Sequence, residues 1–568
     1  MLHARIPYRT VLIISVLIAF GFNMHSLAAE QAEAEKNFLK ADERDVANWR
    51  QMRFGLFIHW GPVSLKGTEI GWSRGAERRG TGGKGDVPVE EYDNLYKSFN
   101  PVKFDADEWV QLAKDAGMKY LVFTTKHHDG FSMFDSKLTD YKITNSPFER
   151  DVVKEIADAC HKARMKLGFY YSPPDWRHPD YRTETHAKYV EYMHGQVREL
   201  CTNYGKVDII WFDGLGGTAK DWDAENLLKM IRELQPHVII NNRAGLPADH
   251  DTPEQRIGKF QNDRPWETCM TICQQWAWKP NDNMKSLKQC IQTLVRVTGG
   301  DGNFLFNVGP MPDGRIEPRQ VERLQDMGQW LTKYGKSIYG TRGGPFKPGP
   351  WGASTHSGNV IYVHILNWSG ESLRLPPIPK AITESQVLTG GTVTVDQSDE
   401  GIEISVPEAD RSDIDTIVAL RVMGAASEIS PCSLPSDSLT AGKKATVSNV
   451  YMEDTHHSAA MAVDDDDSTR WATDYGVKTA WLEVDLGKNV TFNRVKISEE
   501  YDRVRKFELQ YEKDGQWITF FTGTKIGESF SASFKPITAR NVRLNITEAI
   551  EGPTISEYQL FSPKKRQR

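Results

Sequence analysis

The strict alternation of short apolar runs with amphipathic segments, from about Ala47 to Gly340, is the feature that most restricts the fold of this chain. Seven apolar runs end in polar or aromatic clusters: RFGLFIHWG, KYLVFTTKHHDGF, MKLGFYYSPPDW, VDIIWFDG, HVIINNR, PWETCMTI and NFLFNVGP. Segments of helical periodicity, such as DADEWVQLAKDAG, lie between them. Strand and helix in turn are typical of parallel βαβ units. The pattern predicts a (β/α)₈ barrel at residues 29–340, and the lack of a GxGxxG after the first strand excludes a dinucleotide-binding fold.

The pattern changes after Gly340. Runs with period-two alternation, such as NVIYVHILNW and GIEISVPE, predict a small β-sandwich at residues 341–425. Residues 426–440 contain few large apolar side chains and are predicted as a linker. A second all-β module is predicted at 441–562, followed by a frayed basic tail at 563–568. We therefore expect a multidomain protein in which a barrel precedes two β-domains.

Residues 1–28 have the three-part layout of a secretory signal. Arg5 and Arg9 precede the apolar stretch VLIISVLIAFGF, and SLAAE offers small residues for cleavage after Ala28. No cysteine lies near that point, so no lipid anchor is indicated. No later run is long or apolar enough to cross a bilayer. The sequence predicts an exported protein, secreted or periplasmic, that does not stay in the membrane after signal removal.

Composition excludes some partners and frameworks. The net charge of −6 over 568 residues argues against nucleic acid as the main partner. Six cysteines are few for this length, so disulfides are not expected to define the fold. Cys269 and Cys273 have no further Cys or His pair nearby, which favours buried thiols over a metal site.

Unusual side chains cluster at the predicted strand ends. In (β/α)₈ barrels the chemistry lies at the C-terminal ends of the strands. Six such ends carry polar or aromatic groups here: His59 and Trp60, His127 and His128, Tyr170 and Tyr171, Asp213, Arg243, and Glu267. Loop chemistry alone does not explain so many, and a pocket at this end of the barrel is predicted.

Asp213 and Glu267 are the two carboxylates of this set. Glycosidases use such a pair, with the carboxyl groups about 5–5.5 Å apart for retention and further apart for inversion. Glu267 lies between Trp266 and Thr268, a partly apolar setting that raises a carboxyl pKa toward that of a usable acid. The alternative for each carboxylate is a strand-end cap or a salt bridge.

The remaining polar candidates also have two interpretations. In KHHDGF, His127 and His128 can bind one ligand's hydroxyls if the chain leaves strand geometry at Asp129, and a metal site is the alternative. Arg243 offers a fork of donors for a hydroxyl or a catalytic carboxylate, or else forms an ordinary ion pair. Three tryptophans supply either pocket walls or core: Trp60, Trp72 and Trp211.

Six motifs taken together resemble the barrel of the glycoside hydrolase family 29 α-L-fucosidases: FGLFIHWG, KHHDGF, YYSPPDW, WFDG, PWETC and GNFLFNVGPMPDG. The likeness covers roughly residues 40–425, including the small β domain. It implies that the aspartate of a Trp-x-Asp motif at the fourth strand is the nucleophile, which is Asp213 in WFDG. The acid/base varies among branches of that family. In one branch it is the glutamate of a Trp-Glu pair, which Glu267 resembles.

The resemblance also implies a set of residues that bind fucose hydroxyls: His59, His127, His128, Tyr170 or Tyr171, Trp211 and Arg243. Trp60 joins this set as a wall. Glu69 and Trp72 resemble a family Glu-Trp pair near the pocket, although EIGW separates them by two residues here. The family often has Ser-Trp-Gly-Tyr beyond the acid, where this chain has QQWAWKP, so a different leaving group is expected.

The final module resembles a discoidin, or coagulation-factor type C, domain through AVDDDDSTRWAT, AWLEVDLGK, RNVRLNIT and ISEYQLF. This resemblance implies a discoidin-like β-sandwich of the jelly-roll type that binds carbohydrate. Many such modules hold a structural Ca²⁺, and the corresponding ligands here are Asp464, Asp467, Thr469 and Glu557. Oxygen-rich loops suit Ca²⁺, but an acidic loop is also typical of a solvated turn.

The leading interpretation is an exo-acting, retaining α-L-fucosidase that releases terminal fucose from oligosaccharides, glycans or polysaccharides without a catalytic cofactor. Three alternatives remain open: an α-L-galactosidase of the same fold, an inactive carbohydrate-binding protein, and a metal hydrolase built on His127, His128 and Asp129. The sequence names neither the glycosidic linkage nor the oligomeric state.

Overall fold

The structure, a computed structural model, describes residues 37–368, 370–434, 437–466, 469–527 and 529–563. The predicted signal at 1–28 and most of the basic tail lie outside these residues. The described chain forms two compact units. One comprises the residues up to Gln255 together with Gln261–Thr341. The other comprises Arg256–Phe260 together with the residues from Arg342 onward.

Seven parallel strands form the centre of the first unit, in the order β5-β4-β3-β2-β1-β7-β6. They are β1 Phe54–Ile58, β2 Tyr120–Lys126, β3 Lys166–Tyr171, β4 Ile209–Phe212, β5 Ile239–Ile240, β6 Glu267–Thr271 and β7 Asn303–Val308. Each coincides with one of the seven predicted apolar runs. Nearly every strand residue is buried, as expected when helices cover the outside of a sheet that closes on itself.

A short segment links the two edge strands and closes the ring. Asn241, which follows β5, bridges His250 in parallel, and the next residue, Asp251, bridges Trp266 in front of β6. The backbone confirms this path, because Glu267 N–H donates to Asp251 O at 2.9 Å. Residues 250–251 thus take the place of an eighth strand, and the predicted (β/α)₈ type of fold is confirmed.

Eight α-helices belong to the described part of this unit: α1 Glu43–Met52, α2 Val89–Asn94, α3 Ala106–Asp115, α4 Val152–Ala163, α5 His186–Asn203, α6 Ala224–Leu234, α7 Leu287–Gly299 and α8 Pro318–Tyr334. Local sequence fixes several starts. Asp105 and Asp151 accept the N–H of the third residue of α3 and α4. Ser286 and Gln289 form a reciprocal capping box on α7. These caps fix where α3, α4 and α7 begin. Because the strands are parallel, their C-terminal ends lie on the same side of the sheet.

The second unit begins with the predicted small β-sandwich. One sheet has the order β12-β15-β10-β9-β8 and the other β11-β14-β13. The strands are β8 Arg342–Gly343, β9 Gly352–Ser357, β10 Val360–Ile365, β11 Ser372–Leu375, β12 Ile382–Val387, β13 Thr394–Ser398, β14 Gly401–Ser405 and β15 Thr416–Val422. Alternate side chains of the two sheets, including Ile361, Val363, Ile404 and Val418, form its core.

The C-terminal module is a second antiparallel β-domain. Its strands are β16 Lys444–Val447, β17 Trp471–Ala472, β18 Ala480–Glu499, β19 Val504–Lys513, β20 Gln516–Gly523, β21 Phe530–Ala549 and β22 Thr554–Phe561. They pair in the order β17-β22-β18-β21-β19-β20, with β16 on β18. The long strands β18 and β21 change register twice, which bends them around one core that includes Trp471, Phe492 and Tyr558.

The fold also bears on the predicted linker, the cysteines and the prediction about membrane spans. The predicted linker 426–440 is partly integrated into its neighbours, because Cys432 bridges Phe346 and Leu439 N–H donates to Leu560 O at 2.7 Å. All six cysteines are described and none is paired, and five of them are buried. Within the described ranges, no helix has both the length and the apolar character needed to span a membrane.

Candidate active site

A pocket opens at the C-terminal ends of the barrel strands. Its lining comprises Phe57, His59, Trp72, His127, His128, Tyr170, Trp211, Asp213, Leu215, Arg243, Glu254, Cys269 and Trp276. These residues come from β1 to β6 and the loops that follow them. Seven of the ten predicted binding residues are among them, together with the predicted nucleophile.

Asp213 lies in this pocket because β4 ends one residue before it. Ile209–Phe212 is fully buried, and the chain then turns at Gly214, whose N–H donates to Arg243 O at 3.0 Å. A Cβ at Gly214 would lie 2.1 Å from that oxygen, so only glycine allows this close approach. The turn leaves the Asp213 side chain 15% exposed, at the base of the pocket.

Three side chains fix the Asp213 carboxylate. The Tyr170 hydroxyl donates to Oδ2 at 2.9 Å, and Arg243 Nη1 donates to Oδ1 at 2.9 Å. His128 Nε2 lies 3.4 Å from Oδ2. With both oxygens engaged, the carboxylate is held in one orientation beside the pocket's open space.

Arg243 connects Asp213 to a second carboxylate, Glu254. The same Nη1 atom donates to Glu254 Oε2 at 2.7 Å. The two carboxylate oxygens can therefore be no further apart than the sum of 2.9 and 2.7 Å, which is 5.6 Å. The Glu254 side chain is 37% exposed, so solvent and a leaving group can reach it. This upper bound is compatible with the about 5–5.5 Å between the carboxyl groups of retaining glycosidases.

The two carboxyl groups differ in electrostatic setting. Burial alone would raise the pKa of Asp213, but the positive charge of Arg243 and the Tyr170 hydrogen bond outweigh it and lower that pKa. Burial raises the pKa of Glu254; Arg243 opposes that rise, and the negative charge of Asp213 adds to it. The site thus favours an ionised Asp213 beside a protonated Glu254, which is the division of roles that acid–base catalysis needs.

The pocket histidines are neutral hydrogen-bonding groups. Burial lowers the pKa of His59 to about 3 and that of His128 to about 4, and it also lowers the pKa of His127. Asn307 Oδ1 lies 2.7 Å from His59 Nδ1, and Ser172 Oγ lies 2.6 Å from His128 Nδ1. These contacts orient the imidazole rings, which can each exchange hydrogen bonds with a ligand hydroxyl.

Aromatic rings form the walls. Tyr170 and Trp211 stack at 5.7 Å, and Arg243 lies 4.8 Å above the Trp211 ring. Trp276 packs 4.7 Å from His59. Its position depends on Glu69, whose carboxylate accepts the backbone N–H of Trp276 at 2.8 Å and of Ala277 at 3.0 Å. These rings give the pocket apolar walls with polar edges.

Glu267 does not lie in the pocket. It is the first residue of β6, so it lies at the N-terminal end of its strand, about 13 Å along the strand from the C-terminal end. Its carboxylate is fully buried and accepts hydrogen bonds from the Tyr120 hydroxyl and from Trp211 Nε1. The sequence predicted Glu267 at the C-terminal end of a strand. This prediction was wrong, because the strand starts at Glu267 and continues to Thr271.

Three other predicted binding residues also lie elsewhere. The Trp60 indole donates to Met311 O and packs in an aromatic cluster with Trp109. Tyr171 points to the opposite side of its strand and donates to Gln196 Oε1. Adjacent strand residues face opposite ways, so only Tyr170 of the tyrosine pair reaches the pocket. Glu69, as described, supports the Trp276 wall instead of lining the pocket.

Five lining residues are absent from the predicted set: Phe57, Leu215, Glu254, Cys269 and Trp276. Glu254 and Trp276 contribute most to the geometry described above. Glu254 lies in the segment DTPEQ between β5 and β6, which has no strand or helix period to place it. Trp276 belongs to QQWAWKP, the segment that differs from the Ser-Trp-Gly-Tyr often found in the family. The single available signal for Glu254 was a carboxylate in a loop that follows a barrel strand.

The predicted metal alternative at KHHDGF lacks its third ligand. Asp129 Oδ2 accepts the Tyr92 hydroxyl at 2.7 Å, and Asp129 Oδ1 accepts the backbone N–H of Phe131. Asp129 therefore does not converge with His127 and His128. Across the described parts of the chain, no group of three or more His, Cys, Asp and Glu has an arrangement that could hold a metal ion.

The acidic loop of the C-terminal module brings three of the four predicted calcium ligands together: Asp464, Thr469 and Glu557. Burial and the negative charge of Asp464 raise the pKa of Glu557 to about 9. Thr469 Oγ1 donates to Asp464 Oδ1 at 2.8 Å, and Asp466 N–H donates to Glu557 Oε1 at 2.9 Å. Asp467, the fourth predicted ligand, lies outside the described residues.

Comparison with known proteins agrees with this geometry. The family profile described as Alpha-L-fucosidase matches residues 22–336, and that of the F5/8 type C domain matches residues 444–559. The tissue alpha-L-fucosidase of Macaca fascicularis is 29% identical over 406 residues, which cover 65% of this chain and 86% of that protein.

Two solved structures each resemble about two-thirds of the chain. Alpha-L-fucosidase isoenzyme 1 from Paenibacillus thiaminolyticus has 37% identity and a TM-score of 0.62, covering 67% of this chain and 99% of its own. A family 29 alpha-L-fucosidase from Bacteroides thetaiotaomicron, trapped as a covalent intermediate with 2-fluoro-fucosyl fluoride, has 29% identity and a TM-score of 0.61, covering 68% and 97%. From its sequence, its fold and its pocket, this chain belongs to the alpha-L-fucosidase family, glycoside hydrolase family 29.

Proposed function

We propose that this protein hydrolyses terminal α-L-fucosides with retention of the anomeric configuration, with Asp213 as nucleophile and Glu254 as acid/base. The observation that carries the proposal is the arginine bridge, because one Arg243 nitrogen holds both carboxylates at a separation suited to double displacement. Family membership supports fucose as the sugar, and the trapped covalent intermediate of the Bacteroides relative supports retention.

In the first step Asp213 attacks C1 of the bound sugar. A bond forms between the carboxylate oxygen and C1 while the bond from C1 to the leaving oxygen breaks, and Glu254 gives its proton to that oxygen. The lowered pKa of Asp213 favours the ionised form of the nucleophile, and the raised pKa of Glu254 favours the protonated form of the acid. The neutral histidines and Tyr170 hold the sugar in place.

In the second step water releases the sugar. Glu254, now ionised, removes a proton from water, whose oxygen bonds to C1 as the bond to Asp213 breaks. Tyr170 and Arg243 stabilise the carboxylate that re-forms, since both donate to its oxygens. The enzyme returns to its starting protonation state, and two inversions give net retention.

A single assay tests this function and separates its rivals. The protein is incubated with a panel of fucosylated oligosaccharides and with matched aryl α-L-fucoside and α-L-galactoside, and the released sugar and its first-formed anomer are identified by NMR. We expect α-L-fucose to be released first. Faster release of L-galactose favours the galactosidase, whose sugar differs by one hydroxyl on C6. Binding of fucose without any release favours an inactive carbohydrate-binding protein.

The pH profile should follow the two carboxyl groups. We expect kcat/KM to fall on the acid side only below the ordinary range of an aspartate, because Asp213 must be ionised and its pKa is lowered. On the alkaline side it should fall above 4.5, the ordinary pKa of glutamate, as Glu254 loses its proton. Glu254→Gln should abolish the alkaline limb. Loss of that limb in Glu267→Gln instead would assign the acid to Glu267.

We also propose export through the predicted signal at residues 1–28, followed by cleavage after Ala28. The three-part layout of the segment supports this assignment. Sequencing the N-terminus of protein recovered outside the cytoplasm should give Ala29 as the first residue. An intact Met1 on that protein would contradict the proposal.

A structural Ca²⁺ in the C-terminal module is a further proposal, with Asp464, Thr469 and Glu557 as ligands and Asp467 as the predicted fourth. The support for this site is that the carboxylates of Asp464 and Glu557 face each other. Two facing carboxylates repel each other, and a bound cation offsets that repulsion. Oxygen is the ligand atom that Ca²⁺ prefers, and all four residues supply it. The ion's contribution would be to stability, since no step of the reaction involves it.

Calcium removal should then destabilise the module. With Ca²⁺ at about 100 times its Kd, binding adds about 2.7 kcal/mol, so EDTA should lower the unfolding temperature of the module by several degrees. Glu557→Gln should remove this dependence, whereas the exposed control Glu548→Gln should keep it. Calorimetry of the full-length protein measures the shift. Unfolding that is unchanged by EDTA in wild type would contradict the site.

A further inference from the structure

A segment of the loop after β1 places uncompensated positive charge beside the pocket. Arg78 lies over the ring of Trp72, with its Cζ 5.0 Å from the ring centroid. Trp72 is a pocket wall, and its ring lies 5.8 Å from that of His128. Trp72 therefore contacts both the Arg78 guanidinium and His128, which lies beside the nucleophile.

Arg78 has more N–H donors than there are acceptors around it. Its Nη2 donates to Trp72 O at 2.7 Å, but its buried Nε has no acceptor among the residues that the structure describes. The indole Nε1 of Trp176, whose ring centroid lies 5.9 Å from Arg78 Cζ, is likewise buried without an acceptor there. A buried donor without a partner is costly, so Arg78 lies in surroundings that supply fewer acceptors than its guanidinium can use.

The charge of Arg78 is also unmatched. Glu77 and Asp86 lie in the same loop, yet no described carboxylate lies within ion-pair distance of Arg78. The guanidinium of the neighbouring Arg79 donates to backbone carbonyls, which carry no net charge, of His178, Pro179 and Tyr181. The charge of Arg79 therefore adds to that of Arg78 instead of being cancelled.

The loop after β1 packs closely against a neighbouring loop of the pocket. Arg182 donates to Gly216 O, and a Cβ at Gly216 would lie 2.6 Å from Gly80 O. The loop after β1 thus touches the loop after β4, whose Leu215 lines the pocket. Within the loop after β1, Arg78 is positioned by its hydrogen bond to Trp72 O and by its stacking on the Trp72 ring.

We propose that Arg78 determines specificity by binding an oxyanion group, a sulfate ester or a carboxylate, carried by the fucosylated substrate. The planar fork of arginine matches such groups with paired donors, and Arg78 Nη1, unlike Nη2, donates to no acceptor among the residues that the structure describes. This inference rests on the proposed fucosidase function. The anion belongs either to the fucosyl ring itself or to the sugar next to it, and these two sources are distinguished by experiment.

The test compares kcat/KM for three fucosyl disaccharides: a neutral one, one with a sulfate or carboxylate on the leaving sugar, and one with a sulfate on fucose. Wild type should prefer one anionic substrate over the neutral one by about tenfold to a hundredfold, the range for a hydrogen bond to a charged group. Arg78→Gln should lose that ratio, because the anionic substrate loses far more activity than the neutral one. Arg78→Lys, which keeps the charge without the fork, should retain part of it.

Lys84→Gln is the matched control, since it removes one exposed positive charge from the same loop. It should keep the wild-type ratio. An equal loss in Lys84→Gln, a wild type without preference for either anionic substrate, or an Arg78→Gln that keeps the preference would each overturn the inference. Inactivity of wild type on all three substrates would instead contradict the fucosidase function, so the two failures are distinguishable.

Discussion

Replacing Asp213 by Asn is expected to lower kcat by at least about 10⁴-fold, about 5.5 kcal/mol of activation free energy, while leaving the protein folded. The substitution keeps the shape of the side chain and one acceptor oxygen for Tyr170 or Arg243. It removes the negative charge that bonds to C1, so no covalent intermediate can form. An assay with an aryl fucoside measures the fall in kcat, and a thermal unfolding curve shows whether the protein stays folded.

A chemical rescue distinguishes the nucleophile from a supporting residue. In Asp213→Gly the side chain is absent, and added azide can attack C1 directly from the vacated side. One displacement inverts the anomeric centre, so the product should be β-L-fucosyl azide. Formation of the α-azide by this variant, or retention of wild-type activity in Asp213→Asn, would show that another group attacks the sugar.

Replacing Glu254 by Gln has the second largest expected effect. With a poor leaving group, kcat/KM should fall by about 10²–10⁴-fold, the usual contribution of a general acid. With an activated leaving group such as dinitrophenolate, the first step needs no proton and should slow much less. Azide should then react with the glycosyl-enzyme and give α-L-fucosyl azide, because the nucleophile is intact.

Glu267→Gln is the matched control for Glu254. Glutamine preserves an acceptor for Tyr120 and Trp211 in the barrel interior, where Glu267 is fully buried away from the pocket. We expect its kcat/KM to change by less than about tenfold for both classes of leaving group, in keeping with a positioning role. Leaving-group dependence and azide rescue in Glu267→Gln, with none in Glu254→Gln, would reverse the assignment.

Most of the barrel could be predicted because each of its strands and helices has a recognisable pattern within its own stretch of sequence. Each strand of a sheet covered on both faces reads as a short apolar run, and each helix between strands shows its own period and caps. The eighth position of the ring could not be predicted in this way. His250 and Asp251 make only single bridges to their neighbours, so their segment has no strand-length pattern.

The site was predictable only where a residue's position along a strand was clear. Asp213 follows a strand that glycines end, so its place at the C-terminal end could be predicted. Glu267 carries the same chemistry, but the sequence did not reveal that it begins its strand. Glu254 depends on a loop that brings it to Arg243 from eleven residues away, and such tertiary contacts leave no periodic trace.

Mass spectrometry of the full-length Glu254→Gln protein after reaction with 2-fluoro-fucosyl fluoride tests the central claim most directly. The fluorine slows both steps and the missing base slows release, so a fucosyl adduct should accumulate. We predict that peptide mapping finds one 2-fluoro-fucosyl group, on Asp213. An adduct on any other carboxylate, or full turnover of the reagent with no covalent adduct, would contradict the account.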